Sequence, residues 1–504
     1  MGKKSGGDRK KVRAASVENS SAPRWGVDRE GATEHWELGR AARDRMPREQ
    51  LGAWEPAADR RDPVDILVGQ EHSRVPELVP LRHERMAVSP FTFYRGAAAI
   101  MAEDLGTRPN TGLIAQLAGD AHLANFGGFA SAERNLVFDL NDFDETLPGP
   151  FEWDVKRLVA SFEIAGRHNG FTPAQRRTVV GLVASTYASA MSGFSRMGRL
   201  EVWYARIEAG EIIQRWGSTV EPARVERFRR LMDKGRTKTS ARAVSRYTRV
   251  AANGELAIVS QPPFVVPAHE LTGMPEELIR EFSERVFASY RTTLSDDRQL
   301  LLSGYRIVDV ARKVVGVGSV GTRCWIVLLV AKDDPSDDLV LQLKEAAPSV
   351  LASVTEPSRY DQHGQRVVEG QRLMQAASDP LLGWTRATGL DGVDRDFYVR
   401  QMWDWKTSAD LDRMDDIGMG MYARMCGWTL ARAHARSSDR HAIAAYIGGG
   451  GAFGRAMEEF AVTYADQNER DYAAFVAAID EGRIEQSHLE GGGASRSVTE
   501  EGIA

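Results

Sequence analysis

Between Thr111 and Asp154, short apolar runs alternate with clusters of glycine, aspartate, asparagine and histidine, and this segment constrains the chain more than any other. Leu113-Ile114-Ala115 and Leu136-Val137-Phe138 are short and bounded by turn-forming residues, which is the pattern of short strands joined by functional loops. The second run leads straight into Asp139, Asp142, Asp144 and Glu145. Acidic groups at the end of an apolar strand are costly unless a cation or solvent compensates them. Magnesium is held by one or two carboxylates together with substrate phosphates, so a strand-end aspartate facing a nucleotide is a natural ligand. The alternative is a solvated acidic turn.

Upstream, Gly119-Asp120-Ala121-His122-Leu123-Ala124-Asn125-Phe126-Gly127 sets an Asn five residues after an Asp. That is the spacing of a kinase catalytic loop, in which the Asp orients or deprotonates an acceptor hydroxyl and the Asn holds a magnesium ion. Asp-x4-Asn is common by chance, but here Asn125 lies only seventeen residues before Asp142. The two clusters together point to Asp120 as the catalytic group and to Asn125 and Asp142 as metal ligands. His122 and Asp144 are further candidates.

A third cluster, Gly316-Val317-Gly318-Ser319-Val320-Gly321-Thr322, has the G-x-G-x-x-G form. In a dinucleotide fold such a turn opens a helix. Here Cys324 to Val330 is apolar and strand-like, and the Asp333–Asp338 run turns the chain into Leu339–Leu343. That is a hairpin, so Gly316, Gly318, Ser319 and Gly321 are read as a kinase-type flap over nucleotide phosphates. No Lys-Ser/Thr follows the last glycine, which excludes a Walker A loop. Lys344 closes the strand after the flap, where a kinase places the lysine that contacts the α- and β-phosphates. Such a lysine needs a carboxylate from a neighbouring helix; Glu369 is the first choice and Glu356 the second. A surface lysine at a strand end is the alternative.

These parts come in reversed order. In an ordinary kinase the glycine loop and lysine precede the catalytic loop, whereas Asp120 and Asp142 precede Gly316 and Lys344 by about two hundred residues. A circular permutation accounts for this and is tolerated where chain ends lie close together at the surface. The amphipathic run Gly420 to His434 supports it, because small-molecule kinases carry a similar helix just before the catalytic loop. The expected fold is therefore α+β, helix-rich, and a circularly permuted, two-lobed, protein-kinase-like arrangement.

Elsewhere Ser89-Pro90 and Thr172-Pro173 are helix starts. Helical patterning runs from Val155 to about Tyr247, around Arg366–Ala377, from Ile417 to Ala435 and from Phe453 to Ile479, with a strand at Phe397–Met402. The expected divisions are a disordered basic tail over 1–35 and a catalytic, helical lobe over 36–300. A β-rich nucleotide lobe over 301–410, C-terminal helices over 411–490 and a disordered end over 491–504 complete them. Region 155–300 is expected to wall the acceptor site. Hydrophobic residues at 42% and charged residues at 27% fit a soluble globular protein, and no apolar stretch approaches the roughly 20 residues of a membrane span. No signal peptide is visible and a cytoplasmic location is expected. The net charge of −5 gives no reason to expect a nucleic-acid partner. Cys324 and Cys426 show neither metal-ligand spacing nor a disulfide framework.

The run from Arg85-Met86 through Ser89-Pro90-Phe91-Thr92-Phe93-Tyr94-Arg95-Gly96-Ala97, the Gly119–Gly127 and Phe138–Thr146 clusters, and Pro148-Gly149-Pro150-Phe151-Glu152-Trp153-Asp154-Val155-Lys156-Arg157-Leu158 together strongly resemble the bacterial domain of unknown function 2252, over roughly residues 40 to 480. More distantly, the chain resembles aminoglycoside-phosphotransferase-like and choline-kinase-like enzymes. Their pattern is His-Gly-Asp-x-His-x-x-Asn, then Ile-Asp-Phe-x-Asp, then a Trp/Tyr-Asp-Leu-Ala helix start. Gly119-Asp120-x-His122-x-x-Asn125 matches the first, with Ala118 at the leading His. Asn141-Asp142-Phe143-Asp144 matches the second and Trp153-Asp154-Val155-Lys156 the third. The resemblance implies Asp120 as base, Asn125 and Asp142 as metal ligands and a structural Asp154, with Asp139 at an alternative spacing for the metal. Arg95 is a candidate phosphate or substrate contact, or else a structural ion pair. The expected function is ATP- and Mg2+-dependent phosphoryl transfer to an unidentified small-molecule or protein hydroxyl. A catalytically inactive nucleotide-binding module is the alternative, and a metallophosphoesterase the third reading.

Overall fold

The computed structural model describes residues 32–487 apart from 209, 213–220, 253, 335, 390 and 403, so the two expected disordered tails fall largely or wholly outside the described residues. The principal helices are α1 (Pro90–Gly96), α2 (Phe151–His168), α3 (Pro173–Phe194), α4 (Glu276–Arg291), α5 (His363–Met374), α6 (Asp416–Ser437) and α7 (Gly451–Asp480). Both Ser/Thr-Pro pairs act as helix starts. The Ser89 hydroxyl accepts from the Thr92 amide and Thr92 Oγ1 accepts from the Ser89 amide. Thr172 and Gln175 make the same reciprocal capping box at α3.

Helix α2 is buried on every side from Phe151 to Gly166, so its polar groups all need partners. Glu152 accepts from the amide and hydroxyl of Thr111 at 2.7 Å each. The Lys156 ammonium lies 4.6 Å from the Phe460 ring centre. Asp154 and Arg157 turn toward the Gly119-Asp120 loop, and α2 is thereby both the centre of the core and the support of that loop.

Among the described residues, thirteen strands form four sheets, giving a mixed α+β fold. Strands β1 (Ile114–Leu117) and β4 (Leu147–Pro150) pair, and β2 (Phe126–Ala130), β3 (Leu136–Leu140) and β5 (Ile207–Glu208) make a three-stranded sheet. Strands β6 (Thr248–Val250) and β7 (Leu256–Ile258) form a hairpin. The largest sheet is antiparallel, in the order β12-β13-β11-β10-β9-β8, from β8 (Val265–Pro267), β9 (Tyr305–Lys313), β10 (Cys324–Ala331), β11 (Leu339–Ala346), β12 (Gly383–Thr388) and β13 (Asp394–Gln401). The glycine cluster joins β9 to β10, and β10 pairs with β11 across Cys324 and Lys344. The expected hairpin is present, and Val314-Val315 lie just past the end of β9.

Both faces of this sheet are covered, which explains why β10 is apolar at successive positions rather than alternately. Val327 and Leu329 pack toward Tyr290 and Leu294, on and just past α4, while Ile326 and Leu328 pack toward Ala243 and Tyr247. The apolar cover of the sheet thus starts near Ala243, well before the expected lobe boundary at 301, because residues 243–294 bury their side chains on it. The main core joins the N-terminal segment to the C-terminal helices, with Ala42, Leu51, Phe151, Leu430 and Phe460 in one cluster. Among the described residues, no helix is long and apolar enough to cross a membrane.

Candidate functional site

The Gly119-Asp120 turn is held from behind by α2. Asp154 accepts from the amides of Ala118 at 2.7 Å and Gly119 at 3.0 Å, and its Oδ2 lies 3.2 Å from His434 Nε2. Gly119 has a φ of 81°, and a side-chain Cβ there would come within 2.3 Å of the Glu145 carbonyl oxygen. Left-handed backbone and close approach together require glycine. Gly119→Ala is therefore expected to lower stability by about 1–3 kcal/mol, read as a shifted urea midpoint with an unchanged slope.

One turn along α2, Arg157 Nε donates to Asp120 Oδ1 at 2.8 Å. Burial raises the Asp120 carboxyl's pKa, with Arg157 opposing that shift. Asn125 Nδ2 donates to the Asp120 carbonyl at 2.8 Å, which leaves its Oδ1 as the group on offer to a cation. His122 is buried; its Nδ1 accepts from the Ala124 amide, and burial holds its pKa well below the ordinary value, so the ring is neutral.

The acidic turn after β3 meets Lys344 of β11. The Lys344 ammonium pairs with Asp144 Oδ2 and lies 3.9 Å from Asp142 Oδ2. The Tyr398 hydroxyl donates to Asp144 Oδ1 at 2.8 Å. Burial would raise Asp144, but Lys344 and Tyr398 outweigh it and hold the carboxyl below its usual range. Burial and the neighbouring Asp144 charge push Asp142 up. Arg366 fixes the backbone of the turn, donating to the Asp144 and Thr146 carbonyls at 2.8 and 2.7 Å.

The glycine turn closes over this site. Arg74 donates to the Gly318 carbonyl at 3.3 Å and to the Val320 carbonyl, and Ser319 Oγ lies 3.4 Å from Asp144 Oδ2. One cleft is lined by Asp120, His122, Asn125, Asp142, Asp144 and Arg95 from the first third of the chain and by Gly316, Gly318, Ser319 and Lys344 from two hundred residues later. Its empty volume is ≈ 1450 Å³.

Four expectations differ from this geometry. Glu369 does not hold Lys344: it pairs with Arg372 at 2.9 Å, and the carboxylates on Lys344 are Asp142 and Asp144. Asp139 is outside the cleft, 1% exposed, paired with Arg432 and accepting from the Ala376 amide at 2.9 Å, so both of its oxygens are engaged away from any metal. Gly321 lies behind the turn against the Arg74 side chain and lines nothing in the cleft. Region 155–300, expected to wall an acceptor, contributes no lining residue to this cleft among the described residues, whereas Gln70, Arg74 and Arg95 do line it.

Sequence reasoning missed Arg157, Arg366, Tyr398, Arg400 and Lys406. Arg157 had a signal, since it lies three residues beyond Asp154 on the same helix face; the others act across sequence gaps that no local pattern marks. Among the described residues, no three His, Cys, Asp or Glu side chains converge as a metal-binding group.

A family model described as "Uncharacterized protein conserved in bacteria (DUF2252)" matches residues 74–478. No curated protein and no solved structure matches the chain.

Proposed function

The chain belongs to the DUF2252 family, conserved in bacteria, and from that premise and the geometry of the cleft we propose an ATP- and Mg2+-dependent phosphotransferase acting on a small-molecule or protein hydroxyl. The observation that carries this is the meeting of Lys344 with Asp142 and Asp144 in a cleft shared with Asp120, Asn125 and the Gly316–Ser319 turn. Asp120 receives the acceptor hydroxyl and takes its proton, the Gly316–Ser319 turn covers the phosphates, and Lys344 contacts them. Asn125 and Asp142 supply oxygen ligands of the kind magnesium takes. Among the described residues too few protein ligands converge to enclose a cation alone, which suits an ion completed by substrate phosphates. A bound Mg2+ supplies charge neutralisation on the transferred phosphoryl group.

A permuted, two-lobed kinase-like arrangement is supported by α6. Its His434 bonds Asp154, and its Ser437 hydroxyl accepts from the Gln116 amide at 3.3 Å, so the end of α6 abuts the strand that leads into Asp120. The glycine turn, the lysine strand β11 and the following helix α5 also come in kinase order. A second reading, nucleotide binding without transfer, is favoured by one contact: the Arg157 ion pair occupies Asp120, the intended base. A metallophosphoesterase would need a denser ligand group than the described residues contain.

Thermal melts with Mg·ATP test the proposal. At a hundred times its dissociation constant a ligand adds about 2.7 kcal/mol, a shift of a degree or more in a chain of this size. Wild type is expected to shift, and Asp142→Ala and Lys344→Ala to shift much less. Asp120→Asn should keep the shift and lose phosphoryl transfer. No shift with any nucleotide at millimolar concentration would sink the reading; a shift with no ATP consumed under any acceptor would favour the binding module.

A further inference from the structure

The register of the large sheet gathers positive charge on its cleft face. Ala311, Ile326, Gln342 and Arg400 form one row across β9, β10, β11 and β13, and Cys324, Lys344 and Tyr398 form the next. Lys313 follows Ala311 by two residues and so shares that face. Lys406, just beyond β13, reaches the same cleft, and Lys313, Arg400 and Lys406 all line it. Arg400 Nε donates to Gln342 Oε1 at 3.0 Å and Nη1 to the Asn141 carbonyl at 3.2 Å, which leaves Nη2 without a protein acceptor among the described residues. The Lys406 ammonium also has no hydrogen-bond or ion-pair partner among them.

We propose that Lys313, Arg400 and Lys406 form an anion subsite for phosphoryl groups on the cleft face of the sheet, with Lys313 level with Lys344 and Arg400 one row further along. The proposal rests on the reading of this cleft as a phosphate site and specifies its donor as a chain of condensed phosphates, laid along the sheet with its far end at Lys406. Two sources share that chemistry: the triphosphate of a nucleotide bound phosphates-inward, and a base-free polyphosphate. Arg400 offers one planar guanidinium edge and Lys406 a rotatable point charge, the pairing suited to successive phosphoryl oxygens. Burial first, and then the Arg400 charge, lowers the Lys406 ammonium to about 7, and burial brings Lys313 to about 8. These are amines that an anion would re-charge.

Calorimetric titration of the full chain with Mg2+ and tripolyphosphate, ATP or adenosine tests this, beside Lys406→Met, Lys406→Arg, Lys313→Met and Lys344→Met, each checked for a native melt. Lys406→Met is expected to weaken tripolyphosphate and ATP about tenfold, Lys406→Arg much less, and adenosine not at all. Tripolyphosphate binding as tightly as ATP identifies a base-free donor, whereas ATP binding far more tightly identifies the nucleotide; either supports the subsite. Should Lys406→Met and Lys313→Met bind both polyanions like wild type while Lys344→Met does not, the subsite is wrong and the proposed function survives. Wild type that binds neither polyanion overturns both.

Discussion

Asp139→Asn is expected to destabilise the folded chain by about 3–5 kcal/mol, the cost of leaving one member of a buried ion pair without the other. Asp139 and Arg432 have side chains 1% exposed each, and they tie β3 to α6 across the main core. The pair has a third anchor. Arg432 Nη1 also donates to the Met374 carbonyl at 2.5 Å and Asp139 accepts from the Ala376 amide, so the end of α5 is pinned to both. In Asp139→Asn the guanidinium keeps the Met374 carbonyl and the new side-chain amide oxygen as acceptors, but no negative charge faces it. In Arg432→Met the carboxylate keeps the Leu140 and Ala376 amides, and the smaller loss is expected there. Replacing both, Asp139→Leu with Arg432→Met, removes the unpaired charge and should recover most of the stability. Denaturant midpoints of the three variants measure this. A cost under about 1 kcal/mol for Asp139→Asn, together with weakened Mg·ATP binding, would return Asp139 to the metal site.

Local placement was legible in the sequence and long-range partnership was not. The hairpin around the glycine cluster could be read because turn residues, β-branched runs and the Asp333–Asp338 break are local signals, and Lys344 followed from its place at the strand end. The cleft residues Asp120, Asn125 and Asp142 could be read from their spacing, and Asp154, which holds the Ala118 and Gly119 amides, from the resemblance. The choice between Asp139 and Asp142 could not be made, since both follow the same apolar run; what separates them is Arg432, 293 positions away. Glu369 failed for a related reason. A lysine at a strand end calls for a carboxylate, and the nearest suitable helix in sequence offers one, but the acidic turn approaches from a segment two hundred residues earlier. Its Asp144 is backed by Tyr398 and Arg366, which no spacing rule connects to it. The cover on the large sheet could not be read, because residues 243–294 alternate short strands and helices whose apolar faces have meaning only against β9, β10 and β11.

Lys344→Met is expected to produce the largest combined effect, a loss of about 3–5 kcal/mol at neutral pH together with loss of phosphoryl transfer. The buried wild-type lysine stands between two half-buried carboxylates, and each depends on it differently. Asp144 has its pKa held below the ordinary value, so its contribution to stability is present above the unfolded pKa and fades as pH falls through the folded one. Asp142 is pushed up even with Lys344 in place. Without the ammonium both carboxyls would rise, and the variant would be penalised most where both must ionise. The deficit relative to wild type should therefore shrink as pH falls from 7 toward 4, as both carboxyls take up protons. A divalent cation offers a second way to relieve it. If Asp142 and Asp144 face a position that Mg2+ can occupy, millimolar Mg2+ should raise the melting temperature of Lys344→Met more than that of wild type, where the ammonium competes for the same oxygens. The rescue should vanish in Lys344→Met/Asp142→Asn. Acid rescue without magnesium rescue would make the Lys344 pair a structural tether, and the metal assignment of Asp142 would fall with it.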